Sequence, residues 1–329
     1  MKALRLSLQA LLLGLVLLTQ PVRAEVPAQL SPDLLAVVWQ QTSAEYKALC
    51  MQIFHGATEA MRTHVQGGEY LFQDGRLWLQ TLVRHPDGRL TWDRRPVALV
   101  MDLDETVLDN SGFEAWAIQT RQTYNPQNWG QWMRFQGETP SSWKALPGAL
   151  EMLGEARKMG ISPVFITNRN ESGRASTLAV LRGLGLDAPD LSERLYMEDE
   201  PNEPQAREAL LQDMGLSPDS AEGRRLAANS SDKERRRLDA MSRFHVVAWF
   251  GDNLYDFPVN VPNTTTPGEV IRKVRDDEVL RNTQRWGTSW FMLPNPMYGS
   301  WYYGPAVPSG TQLKVLDDFG FEAWRKKNL

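Results

Sequence analysis

In the stretch ALVMDLDETVLDNS, Ala98 to Ser111, acids follow an apolar run almost without a break. Asp102 and Asp104 stand two apart, and in extended backbone that spacing puts both on one side. Carboxylates so close repel, which raises the apparent pKa of the pair unless a cation intervenes. A hard divalent ion such as Mg²⁺ resolves the conflict, because it prefers carboxylate and carbonyl oxygens and keeps some of its waters. The stretch FGDNLYDF places Asp252 and Asp256 four apart after another apolar run, a spacing that shares a face if a helical turn begins there. Thr167 closes a third apolar run, and Lys233 lies near a helix start. A solvated turn would explain either acidic pair alone. Acids at the ends of two buried strands, with a hydroxyl and a lysine in matching places, point to one shared site.

The elements that must position these residues alternate. Val97 to Leu103 reads as a buried strand. PGALEMLGEARKMG reads as a helix with Pro147 near its start and Gly160 at its stop, and ISPVFITN as a strand. ESGRASTLAVLRGLG and SDKERRRLDAMSRF read as helices, the second with Ser231 as a candidate cap; HVVAWFGDN is a further strand. Such alternation predicts an α/β fold, a mainly parallel sheet flanked by helices. Ligands bind such sheets outside the carboxyl ends of the strands, where all three runs put polar residues.

Upstream, residues 25–95 predict one long helix or two short ones, then short strand-like runs with turn signals. Two segments interrupt the alternation: a tryptophan-rich stretch at about 112–145, expected to be a smaller, mostly helical cap over the site, and a polar insertion at about 198–230. The catalytic domain is expected to span 96–329.

Lys2 and Arg5, the apolar run Leu11 to Leu18, and Val22 and Ala24 at the −3 and −1 positions read as a signal peptide cleaved after Ala24. The apolar run is short for a membrane span, and the mature chain has no other candidate. Cleavage removes three cations and no acid, taking the net charge from −4 to −7. That is the wrong sign for a nucleic-acid polymer partner. Cys50 is the only cysteine, so no internal disulfide can form, and its helical neighbours make it a buried core thiol. The four histidines form no recognisable nucleophilic set and are expected to be structural.

VMDLDETVLDNS and VVAWFGDNLYDF together resemble the paired signatures of the class C bacterial acid phosphatases of the haloacid dehalogenase superfamily, the group that includes lipoprotein e; QTSAEYKALC, FITNRNESGR and FMLPNPMYGSW are similar to it too. The resemblance runs from about Trp39 to Trp301. It implies a haloacid dehalogenase-like Rossmannoid fold and phosphomonoester hydrolysis through an aspartyl-phosphate, with Asp102 as nucleophile and Asp104 as proton donor and then base. It implies one Mg²⁺ held by the Asp102 and Asp252 side chains and the Asp104 carbonyl, with Asp256 supporting that site. Thr167 and Lys233 would contact the phosphoryl group, Arg236 being the alternative cation, and Asn168 and Arg169 would orient the phosphate. Many members are lipoproteins, but no lipid-accepting cysteine stands at the cleavage point here, so a periplasmic or secreted product is expected. Phe113, Trp116, Tyr298 and Trp301 are aromatic residues near the site that could sandwich a flat ring. The resemblance favours Tyr298 and a preference for 5′-nucleotides and aromatic monophosphates. A phosphotransferase and a non-catalytic phosphate-ester binding protein stay open as alternatives, as does a homo-oligomer.

Overall fold

The computed structural model describes residues 32–84, 87–198, 233–259 and 268–301, together with 217 and 261. The expected signal peptide, Ser231 and nearly all of the polar insertion lie outside the described residues.

The helical N-terminal pattern resolves into two helices, α1 (Pro32–Thr42) and α2 (Ala44–Gly67). Ser43 separates them: its extended backbone starts α2 and its hydroxyl accepts from the Tyr46 N–H at 3.0 Å. Two antiparallel hairpins follow, β1 (Tyr70–Gln73) with β2 (Arg76–Leu79), and β3 (Thr81–Arg84) with β4 (Leu90–Asp93).

The centre is a five-stranded, all-parallel sheet built from β5 (Val97–Met101), β6 (Ser162–Asn170), β7 (Leu195–Glu198), β8 (His245–Gly251) and β9 (Trp290–Met292), in the order β7-β6-β5-β8-β9. Helices α5 (Ala149–Lys158), α6 (Arg174–Gly183), α7 (Glu234–Arg243) and α8 (Gly268–Arg281) lie between or beyond the strands in sequence. Between β5 and α5 come α3 (Ser111–Thr120) and α4 (Pro126–Glu138).

All five residues of β5 are buried, as a central strand covered on both faces requires. Val97, Leu99 and Met101 join Phe54 of α2, Leu153 of α5 and Phe250 of β8 in one core; Ala98 and Val100 join Val164, Ala240 and Trp249 in a second. One strand thus feeds two cores by simple alternation of its side chains. Cys50 is fully buried in the first core, where burial pushes its thiol up to about 11, out of the reactive range.

After β5 the chain crosses to β6 and β7 on one side, then returns to β8 and β9 on the other. The connections leaving β5 and β8 therefore diverge, and a crevice opens between their carboxyl ends. Asp102 follows β5 by one residue and Asp252 follows β8 by one.

The α3–α4 segment carries its own aromatic centre. Phe113, 2% exposed, lies 5.1 Å from the Trp129 ring and 5.6 Å from the Trp116 ring. Pro126 starts α4 behind Asn125, which exchanges capping hydrogen bonds with Asn128.

Candidate active site

Carboxylate oxygens of Asp102, Asp252 and Asp256 lie within 4.8 Å of one another at the divergence of β5 and β8. A short 3₁₀ turn, Leu254–Asp256, brings Asp256 back to the strand end, and Asp256 closes the turn by accepting from the Asn253 N–H at 2.9 Å. Gly251 allows this return, since a Cβ there would collide with the Asp256 side chain. Lys233, at the start of α7, reaches across: its ammonium donates to Asp102 Oδ1, and to Asp256 Oδ1 at 2.7 Å. Asn295 donates to Asp252 Oδ2 at 2.8 Å.

Charge balance at this point is unfavourable without a further cation. Burial pushes the Asp102 carboxyl up, Lys233 pulls it back, and Asp256 and Asp104 push it up again. Burial and the repulsion of Asp256 and Asp102 raise Asp252 as well. Burial alone would lower Lys233, but Asp102 and Asp256 outweigh it and keep the ammonium charged. Three acids facing one lysine leave net negative charge in a buried place. The donors are all oxygen, which suits a hard divalent ion and gives a thiophilic one nothing to bind.

Asp104 is turned away from that cluster. Its carboxylate accepts from Arg169 Nη2 at 2.8 Å and from Asn110 Nδ2 at 2.8 Å. Both Asp102 and Asp104 line a cavity of about 830 Å³, together with Lys233, Asp252, Asn168 and Tyr298. Glu114, Tyr124 and Trp129 of the α3–α4 segment form part of its wall, and Tyr255 another. Sequence patterning does not single out these wall residues; aromatic content on the segment after the Asp102–Asn110 loop is the available signal. Burial, reinforced by Asp33, pushes the Glu114 carboxyl up to about 7.

The remaining expected site residues divide. Thr167 ends fully buried, its Oγ1 accepting from the Arg169 N–H at 3.1 Å and its carbonyl accepting from Arg236. Arg236, the alternative cation, is spent on that carbonyl and on Asn168 Oδ1 at 2.7 Å. Arg169 is fully buried and faces Asp104 instead of the cavity. Phe113 packs inside the aromatic centre. Trp116 and Trp301 are 37% and 42% exposed, and neither is among the described residues that line the cavity. Tyr298 does line it, and its hydroxyl donates to the buried Glu105.

The family model for HAD superfamily, subfamily IIIB (Acid phosphatase) matches residues 18–301. The chain belongs to that family. It is therefore a phosphomonoesterase of the haloacid dehalogenase superfamily. Two solved structures of the class C acid phosphatase from Bacillus anthracis, one with tungstate bound, are similar in fold. Each is 24% identical, with a TM-score of 0.57, and the match covers 90% of this chain and 96% of the other. The phosphatase thus shares its parallel-sheet architecture with them over most of both chains.

Proposed function

We propose that the phosphatase is an exported, Mg²⁺-dependent enzyme that hydrolyses phosphomonoesters through an aspartyl-phosphate on Asp102, with 5′-nucleotides and aromatic monophosphates among its substrates. The observation that carries this reading is the meeting of Asp102, Asp252 and Asp256 with Lys233 at one wall of the cavity.

Asp102 Oδ attacks phosphorus as the bond to the ester oxygen breaks, and the bonding electrons leave with that oxygen. Asp104 gives the leaving oxygen its proton. Asp104 then takes a proton from water as the water attacks the phosphoryl group, releasing phosphate and restoring the Asp102 carboxylate. Lys233 holds Asp102 in place and offsets charge on the phosphoryl oxygens. The Asp102 and Asp252 side chains and the Asp104 carbonyl are the proposed Mg²⁺ ligands, while Asp256 is held by Lys233 and Asn253 and supports them. A bound divalent ion would neutralise the acids and polarise the phosphoryl group. The α3–α4 segment is proposed as the cap that shapes the leaving-group end of the cavity, with the Tyr298 ring as a stacking face for a base.

Among the described residues no helix is long and apolar enough to cross a membrane. Export rests on the charged, apolar and small-residue pattern of the first 24 residues. A panel of nucleotide, aryl, sugar and alkyl phosphates, assayed with EDTA and then with Mg²⁺ restored, tests the reading. Activity lost to EDTA, restored by Mg²⁺ and highest on nucleotides and aryl esters is expected. Full activity in EDTA would contradict the metal, and a preference for sugar phosphates would contradict the substrate class.

A further inference from the structure

Arg169 has a place that its position in the FITNR stretch did not suggest. It is fully buried, and its guanidinium forks onto one carboxylate: Nε lies 3.0 Å from Asp104 Oδ1 and 3.2 Å from Oδ2, and Nη2 lies 2.8 Å from Oδ1. Asn110, 1% exposed, adds a third donor to the same Oδ1 at 2.8 Å. Oδ1 is thus saturated, while Oδ2 has one long contact among the described residues. A carboxylate held this way keeps Oδ2 as its freer oxygen. Its orientation is set by the planar fork, which a lysine cannot copy.

The clamp is tied to α4. Gln136, also 1% exposed, accepts from Arg169 Nη2 at 2.8 Å and donates to Asn110 Oδ1 at 3.0 Å. Trp132, one turn earlier, donates to the same Asn110 oxygen at 2.9 Å. Gly137 presses α4 so near α6 that a Cβ there would lie 2.6 Å from the Ser176 Cβ. Gln136 therefore sits on a helix held against α6 by close packing, and it closes a hydrogen-bonded triangle around the two residues that hold Asp104.

We infer that Arg169 and Gln136 are positioning residues for proton transfer by Asp104, Arg169 by orienting its carboxylate and Gln136 by fixing Arg169 and Asn110 from the α4 side. This rests on the assignment of Asp104 as the acid that protonates the leaving oxygen. It assigns Arg169 no contact with the phosphate. It makes α4 part of the chemistry as well as part of the cavity wall.

The test compares kcat/KM for p-nitrophenyl phosphate, whose leaving group needs no proton, with that for an alkyl phosphate, whose leaving group does. Variants are Arg169→Lys and Gln136→Met, with Asp104→Asn as the reference and inorganic phosphate as a competitive inhibitor. Asp104→Asn should slow the alkyl ester by about a hundredfold more than the aryl ester. Arg169→Lys and Gln136→Met should show the same selectivity at about tenfold or more, with phosphate inhibition changed by less than about twofold. Equal slowing of both esters, or weakened phosphate inhibition, would overturn the inference, the first because the role is structural and the second because Arg169 reads the phosphate. If Arg169→Lys does not fold, Gln136→Met carries the same comparison, since Met keeps the size of the buried side chain and the substitution removes no charge. A flat response in Asp104→Asn itself would overturn the acid assignment and the inference with it. A selective Asp104→Asn beside unselective positioning variants would overturn the inference alone.

Discussion

Tyr298 shows how one residue can be asked for two things. It lines the cavity, where its ring is proposed to stack on a base, and its hydroxyl donates to Glu105, which is fully buried directly after Asp104. Glu105 also accepts from the Asn110 N–H at 2.7 Å and takes a left-handed φ of 56°, so it pins the loop that carries both acids. The two roles separate by substitution. Tyr298→Phe keeps the ring and leaves Glu105 short of a donor. It should lower unfolding stability by about 1–3 kcal/mol while KM for a nucleotide stays within about twofold. Tyr298→Ala removes the stacking face as well and should raise that KM by roughly tenfold, with little change for an alkyl phosphate. Chemical denaturation and steady-state kinetics on the pair check this. A nucleotide KM that rises as much in Tyr298→Phe as in Tyr298→Ala would remove the stacking role.

Elements place the acids, and glycine decides how closely they meet. At Gly251, the last residue of β8, an added methyl would run into Asp256 and push it off Lys233. Gly251→Ala should therefore reduce kcat by about a hundredfold, as misplacement near the reacting atoms does, with the secondary structure unchanged. Gly154 in the middle of α5 is the matched control: nothing lies within 4 Å of a Cβ built there, so Gly154→Ala should be neutral or stabilise by up to about 1 kcal/mol. Circular dichroism and kcat measured on both decide the matter, and an active Gly251→Ala would show that Asp256 has slack. The same scale marks what the sequence made legible. The apolar runs of β5, β6 and β8 announced themselves, and with them the acids just past β5 and β8, whereas β6 runs three residues beyond Thr167, to Asn170. The β7 and β9 strands, with four and three residues, are too short for a period to register. Nor does periodicity carry long-range pairing. Asp104 and Arg169 are 65 positions apart, and Lys233 and Asp102 are 131 apart, so the clamp and the ion pair appear only when the sheet brings them together. Arg169 illustrates the cost: its neighbourhood in sequence suggested a phosphate contact, whereas its neighbourhood in space is a carboxylate. Gln136 lies in no motif at all.

For the molecule as a whole, burial of acids links stability to pH. Partial burial, reinforced by the Asp33 charge, pushes the carboxyl of Glu114 on α3 up from its ordinary value near 4.5 to about 7 in the folded chain. The folded state keeps this proton longer, so the carboxyl's contribution is complete below about pH 4.5 and is lost as pH rises through about 7. Glu114→Gln should leave the thermal midpoint at low pH nearly unchanged and raise it relative to wild type at about pH 8. Identical pH profiles would mean that Glu114 is as well solvated as an ordinary surface acid. The same architecture that buries acids also gathers them: a parallel sheet whose chain reverses direction beside β5, a lysine from α7 and a wall from α3 and α4 converge on one carboxylate. The central claim is that this carboxylate, Asp102, accepts the phosphoryl group. The direct measurement is an acid quench of Asp104→Asn, whose intermediate should break down slowly, during turnover of an aryl phosphate with Mg²⁺ present, followed by peptide mass spectrometry. The account predicts a hydroxylamine-labile phosphoryl group on the peptide containing Asp102, at the Asp102 side chain and absent when Asp102 is changed to Asn. Release of the aryl alcohol with no phosphoryl group on the protein at any quench time, or a phosphoryl group on another residue, would contradict it.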